Sequence, residues 1–146
     1  MVFEVLLSSI FYCNSKVRFA AIIDCFGSKI EGGMRPGTES LNPQSEEEKM
    51  YAHTALRRGL SSSWTDRFGE MKWCITAHKR VTIVELPVGK DNCLLMTLEP
   101  DAPAAAVAED IATLTDHILA SPECSSPKAV RIPLVMESIP AWQISA

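Results

Sequence analysis

From Glu70 to Ala77 polar and apolar positions alternate, with Met71, Trp73, Ile75 and Ala77 interleaved among Glu70, Lys72, Cys74 and Thr76. A period of two is that of a half-buried strand. His78-Lys79-Arg80 then reads as a short polar turn, and Val81 to Leu86 as a β-branched strand stopped by Pro87. Gly89-Lys90-Asp91-Asn92 is a second turn whose residues tolerate positive φ, and Cys93 to Leu98 completes a meander. Upstream, Lys16 to Ile23 is β-branched and aromatic enough for a buried strand. Lys29 to Arg35 is expected to return antiparallel to it, with Asp24 to Ser28 making the turn.

Three other segments carry a helical period. Phe3, Leu6, Leu7, Ile10 and Phe11 share one stripe of an N-terminal helix, and Val107, Ile111, Leu114 and Ile118 share one stripe of the last. Asp101 is expected to cap that last helix, Pro103 to sit in its first turn and Pro122 to end it. Pro36 to Gln44 reads as a loop, after which Ser45-Glu46-Glu47-Glu48 has the pattern of a capping box opening a middle helix. Arg57 and Arg58 complement the helix dipole at the far end, and Ser61 to Ser63 end the helix. Its less polar face is Ala52, Ala55, Leu56, Gly59 and Leu60, small enough to let a sheet or a second helix approach closely. Residues 121–146 hold Pro122, Pro127, Pro133 and Pro140 and cannot form a regular helix, yet Ile132, Leu134, Val135, Met136 and Trp142 are too apolar for an idle linker. The tail is expected to be extended or partly disordered, docked on the domain or used to bind a partner. The expected division is one α+β domain over residues 1–120 followed by this tail.

Composition narrows the class of function. With 146 residues, 47% hydrophobic and 22% charged, the chain has the makeup of one globular domain. A net charge of -4 provides no general field for nucleic acid. Five widely spaced cysteines without a CxxC pair read as free thiols of a reducing cytoplasm. The apolar start, Met1 to Cys13, carries Glu4 and no basic flank, and is too short for a bilayer core of about 30 Å.

Candidate chemistry is sparse. Gly27 and Gly32 have the glycine spacing of a phosphate loop, but Gly33 and Met34 stand where Lys and Ser/Thr are needed, and Pro36 follows in place of a helix. Gly27 is then expected to serve the turn, Gly32 and Gly33 a bulge or a close approach, and Gly37 the exit. Cys74 and His78 would lie about 13 Å apart on a strand, too far to share one ion, and neither His53 nor His117 has a ligand four residues away. No nucleophile elbow occurs. Cys25, in the hairpin turn, is the one thiol whose setting suggests exposure. Arg57-Arg58 and His78-Lys79-Arg80 are explained by dipole compensation and a polar turn, with a shared basic patch at one end of the sheet as the alternative. No catalytic, cofactor or metal residue is specified.

The order of helix, two strands, helix, three strands, helix resembles that of Roadblock/dynein light chain domains, relatives of the longin and profilin-like folds. More narrowly, the chain is similar to a set of uncharacterised archaeal proteins of that fold. The likeness lies in Val17-Arg18-Phe19, Ile22-Ile23-Asp24, Gly27 and Gly32-Gly33-Met34-Arg35-Pro36-Gly37, then in Glu46 to Glu48, Thr76 to Ile83 and Pro87. It covers residues 1–120. It implies a five-stranded antiparallel sheet in the order 2-1-5-4-3, with the middle helix on one face and the terminal helices on the other. Such proteins commonly dimerise through the middle helix and third strand and act as scaffolds or small-GTPase regulators without catalysis. By position, the implied homodimer face includes Ala52, Ala55, Leu56, Gly59, Met71 and Trp73. The bulky or polar Tyr51, His53, Arg57 and Trp64 depart from a helix built only for pairing. The leading expectation is a non-enzymatic, cytoplasmic interaction module with a GTPase or other signalling protein as partner. The alternative is a small-ligand sensor, expected to show a cavity between sheet and helix lined by residues such as Met71, Trp73 and Met96.

Overall fold

A computed structural model describes residues 2–120. Helix α1 (Val2–Cys13) is followed by strands β1 (Val17–Ile23) and β2 (Lys29–Met34), then by α2 (Gln44–Ser61). A 3-10 turn (Ser62–Trp64) and the short α3 (Thr65–Phe68) lead to β3 (Cys74–Ala77), β4 (Thr82–Val88) and β5 (Asn92–Leu98), and α4 (Ala104–Ala120) comes last. The strands form one antiparallel sheet in the order β2-β1-β5-β4-β3, as the resemblance implies. Because β2 and β3 lie at opposite edges, the chain between them has to cross a whole face, and α2 makes that crossing. The expected apolar tail, residues 121–146, lies outside the described residues.

The two faces of the sheet are filled unequally. On one, α1 and α4 cover the sheet, and Leu6, Ile10, Ile22, Leu94, Met96, Ile111 and Ile118 are at most 1% exposed. Each such side chain is worth about 1.5–3 kcal/mol of transfer free energy, so this layer holds most of the stability. On the other face the buried cluster is Phe19, Ala21, Ile23, Leu95 and a single residue of α2, Tyr51. The Tyr51 ring stacks on Phe19 with centroids 6.4 Å apart.

Several local expectations are corrected. The Ser45 to Glu48 capping box does not form: the helix begins at Gln44, Pro43 occupies the cap position, and the Pro43 carbonyl accepts the Glu46 amide at 2.8 Å. Proline has no side-chain acceptor to offer, so the first turn is served by its carbonyl and by the acidic Glu46 and Glu47. Asp101 does not cap α4: the helix begins at Ala104, so Pro103 stands at the cap position rather than in the first turn, and the Asp101 carboxylate instead accepts a hydrogen bond from Lys16 Nζ at 2.9 Å. Pro87 does not stop β4 but lies within it, opposite Cys93. The paired stretch of β3 reaches only as far as Glu85, so at Pro87 the outer edge of β4 is open and the missing amide leaves no rung of the ladder unmade. Trp73 and Met71 precede β3 instead of belonging to it.

Three of the four glycines singled out in the sequence have a positive φ that favours glycine, and at two of them a side chain would also meet a neighbour. At Gly32, φ is +120° and an added Cβ would lie 2.3 Å from the Ala20 carbonyl oxygen, so the close β1–β2 pairing excludes any side chain. At Gly27, φ is +84° and an added Cβ would meet the Ala52 Cα at 3.0 Å, which sets the hairpin tip directly against α2. Gly37 turns the chain at φ +83° in open space, and Gly33 has neither a positive φ nor a neighbour within 4 Å. Gly32→Ala is therefore expected to destabilise the fold by at least about 2 kcal/mol, while Gly33→Ala stays within about 0.5 kcal/mol of the parent. Parallel chemical denaturation curves test this, and equal midpoints for the two variants would show that the Gly32 packing is wrong.

Candidate functional site

Helix α2 turns its polar side to the sheet. Its buried residues are Tyr51 and Thr54. The Tyr51 hydroxyl donates to Glu47 Oε2 at 3.3 Å, and burial together with the nearby carboxylate pushes the phenol up to about 12. Thr54 Oγ1 donates back to the Met50 carbonyl at 3.1 Å. Arg57 Nη1 pairs with Oε1 of Glu85, a β4 carboxylate only 2% exposed, whose Oε2 has no partner among the described residues. Arg58 Nη2 donates to the carbonyls of Gly89 at 3.2 Å and Lys90 at 2.8 Å, fastening the helix end to the β4–β5 turn. The hydroxyls of Ser61, Ser62 and Ser63 donate to the carbonyls of Arg58, Gly59 and Leu60 and close the last turn.

With 3.6 residues per turn, Ala52, Leu56 and Gly59 fall on the side opposite Thr54, and Ala55, half-buried, lies on the flank between. Leu56 is 61% exposed, and Leu60 beside it 58%. The stripe runs on through Trp64 and Phe68 in the short helical turns that follow, both exposed. The less polar side of α2 thus does not receive the sheet. Two arginines with partners on β4 and the β4–β5 turn hold the opposite side down, and the small residues are left facing outward or on the flank.

The two remaining residues of the expected dimer face sit elsewhere. Met71 is half-buried near Ser62 and Thr65, at the end of α2, and Trp73 packs against the α1 and α4 layer. Among the described residues strand β3 pairs only with β4, and its other edge has no strand partner there. Met71 and Trp73 line a shallow depression against α4, whereas Met96 is wholly buried in the core, so these three do not enclose the cavity expected of a sensor. Nor do the two basic segments meet: Arg58 is tied to the β4–β5 turn, and His78 to Arg80 occupy the turn at the other end of β4, about 20 Å away along a seven-residue strand. Cys25 is exposed, while Cys93 is buried and its thiol is pushed up to about 12 by desolvation and by the Glu85 carboxylate. Among the described residues no three His, Cys, Asp or Glu side chains converge on a point.

Sequence reasoning missed an open groove of about 640 Å³ beneath the first half of α2. Phe19, Met34, Met50, Val81 and Ile83 provide apolar lining, with Leu41 from the loop before the helix. His53 of α2 and His78 and Arg80 of the β3–β4 turn line it as well. The signal was present only as scattered residues from five segments, which no local pattern connects.

No family model matches the chain, and no curated protein does. Solved structures do. A Roadblock/LC7 domain from Streptomyces avermitilis matches with a TM-score of 0.60 at 20% identity, covering 78% of this chain and 92% of that one. MglB from Myxococcus xanthus matches with a TM-score of 0.60 at 12% identity, over 81% and 90% of the two chains. The fold is that of the Roadblock/LC7 domain. The gliding protein MglB of Thermus thermophilus agrees, with a TM-score of 0.57 at 15% identity over 80% and 89%. At such identities the shared property is the Roadblock architecture alone.

The polar anchoring of that helix is open to measurement. Arg57→Ala leaves the Glu85 carboxylate buried without any partner and is expected to cost about 2 kcal/mol, less than a fully buried pair because Arg57 is partly exposed. Adding Glu85→Leu is expected to recover most of the loss, and an Arg57→Ala variant as stable as the parent would disprove the anchor. Iodoacetamide near pH 8 is expected to alkylate Cys25 well before Cys93, and peptide mapping that finds the reverse order would contradict the placement of the two thiols.

Proposed function

We propose that the chain is a non-enzymatic, cytoplasmic interaction module that forms a homodimer through the outer face of α2 and the free edge of β3 and presents the paired surface to a protein partner. One observation carries this reading: the outward stripe of α2. A surface helix ordinarily buries its less polar side, and a contiguous exposed apolar stripe marks an interaction surface. Here Leu56, Leu60, Trp64 and Phe68 lie exposed along one side, with Ala52, Ala55 and Gly59 beside them. Small residues at that position permit the close axial approach of a second, symmetry-related helix. Phe26, 88% exposed at the hairpin tip that abuts Ala52, extends the apolar area. In this arrangement Met71 borders the interface, and Trp73 braces the start of β3 from the α4 side.

The Roadblock likeness supports the partner class. Domains of this type commonly serve as scaffolds or small-GTPase regulators, and one solved MglB structure is described as a tetrameric arrangement. A GTPase or other signalling protein is accordingly the partner proposed here. Among the described residues no helix is long and apolar enough to cross a membrane, which fits a module that acts on proteins in solution.

Light scattering of the purified chain tests the proposal. The parent is expected at twice its 16.0 kDa mass at micromolar concentration, and Ala55→Glu or Leu56→Glu is expected to yield a monomer with little change in melting temperature. A parent that stays strictly monomeric over that range would overturn the homodimer.

A further inference from the structure

We propose that the groove beneath the first half of α2 is a binding site for a small amphipathic organic anion, an acyl-chain carboxylate in chemical class. The groove is independent of the outward stripe, since it lies on the sheet side of the helix. Its volume of about 640 Å³ is in the range of small-molecule sites, and its opening admits a ligand without displacing core residues. Phe19, Met34, Met50 and Ile83 offer an apolar bed for a chain. The two methionines are unbranched and adapt to an irregular apolar shape.

The charges that line the groove select the sign of the head group. Arg18 is already committed to Glu99 at 2.9 Å and to the Glu39 carbonyl at 2.7 Å. Lys49 pairs with Glu46 at 3.0 Å, and Glu47 accepts the Tyr51 hydroxyl. The side chains of His53, His78 and Arg80 have no hydrogen-bond or ion-pair partner among the described residues. Among the ionisable side chains of the groove, those without a partner are therefore two imidazoles and a guanidinium, all able to donate to an oxyanion, with the neutral Thr97 hydroxyl and Asn42 amide beside them. A guanidinium in particular takes a carboxylate bidentately, which fixes a head group where an apolar bed alone would bind any oil. The anion places its carboxylate at Arg80 and His78, on the β3–β4 turn, and lays its chain along Met50 toward Met34.

Isothermal titration of the full chain with decanoate, decyltrimethylammonium and acetate tests the site, with Arg80→Glu and Met50→Glu as variants and circular dichroism melts to confirm that both fold. Decanoate is expected to saturate one site per chain. Decyltrimethylammonium, with the same chain and opposite charge, and acetate, with the charge and no chain, are each expected to bind at least about tenfold more weakly. Arg80→Glu is expected to lose about tenfold or more for decanoate with an unchanged melt, because Arg80 is exposed and its side chain has no partner among the described residues. Leu56→Glu is expected to bind decanoate as the parent does, which separates this site from the dimer surface. Three outcomes would overturn the proposal: no saturation by about 1 mM, equal binding of the cationic and anionic chains, or an Arg80→Glu variant that binds like the parent. A fourth would assign the groove to a second copy of the chain, namely loss of a dimer on Met50→Glu in a protein that takes up no decanoate.

Discussion

The unequal division of apolar side chains between the two faces of the sheet underlies every other feature of this molecule. Helices α1 and α4 deliver Leu6, Ile10, Ile111 and Ile118 against Ile22, Leu94 and Met96, and that layer is closed to water. A domain stabilised mainly on one face can leave the other incompletely covered without unfolding, because one well-packed layer offsets the conformational entropy of ordering the chain. The thin face is where both candidate surfaces lie.

On that face α2 is held by directional bonds rather than by area. The Arg57–Glu85 pair, the two carbonyl contacts of Arg58 and the Tyr51–Phe19 stack anchor its middle and second half, and Gly27 brings the hairpin tip against Ala52. Hydrogen bonds and ion pairs specify orientation where a purely apolar contact would let the helix roll. This arrangement has two consequences. Because the anchors occupy the polar side, the apolar side is turned outward, and because they are concentrated from Tyr51 to Arg58, the first half of the helix stands over an open groove.

The outward stripe and the groove are separate in kind as well as in place. The stripe is convex, built of Leu56, Leu60, Trp64 and Phe68, and suits a flat macromolecular contact. The groove is concave and bordered by donors without partners among the described residues, and suits a ligand. A module that pairs through one and takes a ligand in the other has the parts needed to couple its assembly to a small molecule, with α2 as the shared element.

Much of the architecture was legible in the chain. Alternation, β-branched runs and turn residues located five strands, apolar stripes and the acidic start at Glu46 the three long helices, and the inward stripe of α4 (Val107, Ile111, Leu114 and Ile118) is buried as its spacing requires. The element order and the motifs from Val17 to Pro87 led to a Roadblock-like sheet in the observed order. At α2 the cap was misplaced for a local reason, since Pro43 and not Ser45 holds it, whereas other signals failed where a residue had a distant partner, as Asp101 has in Lys16, 85 positions away. The orientation of α2 belongs to the same class. By itself the sequence determined that this helix has a polar and a less polar side, since that follows from local spacing alone. Only the tertiary structure decided which side meets the sheet, because the choice rests on Glu85 and the β4–β5 turn, about 30 residues downstream, whose buried carboxylate and free carbonyls attract arginines and cannot be satisfied by alanine, leucine or glycine.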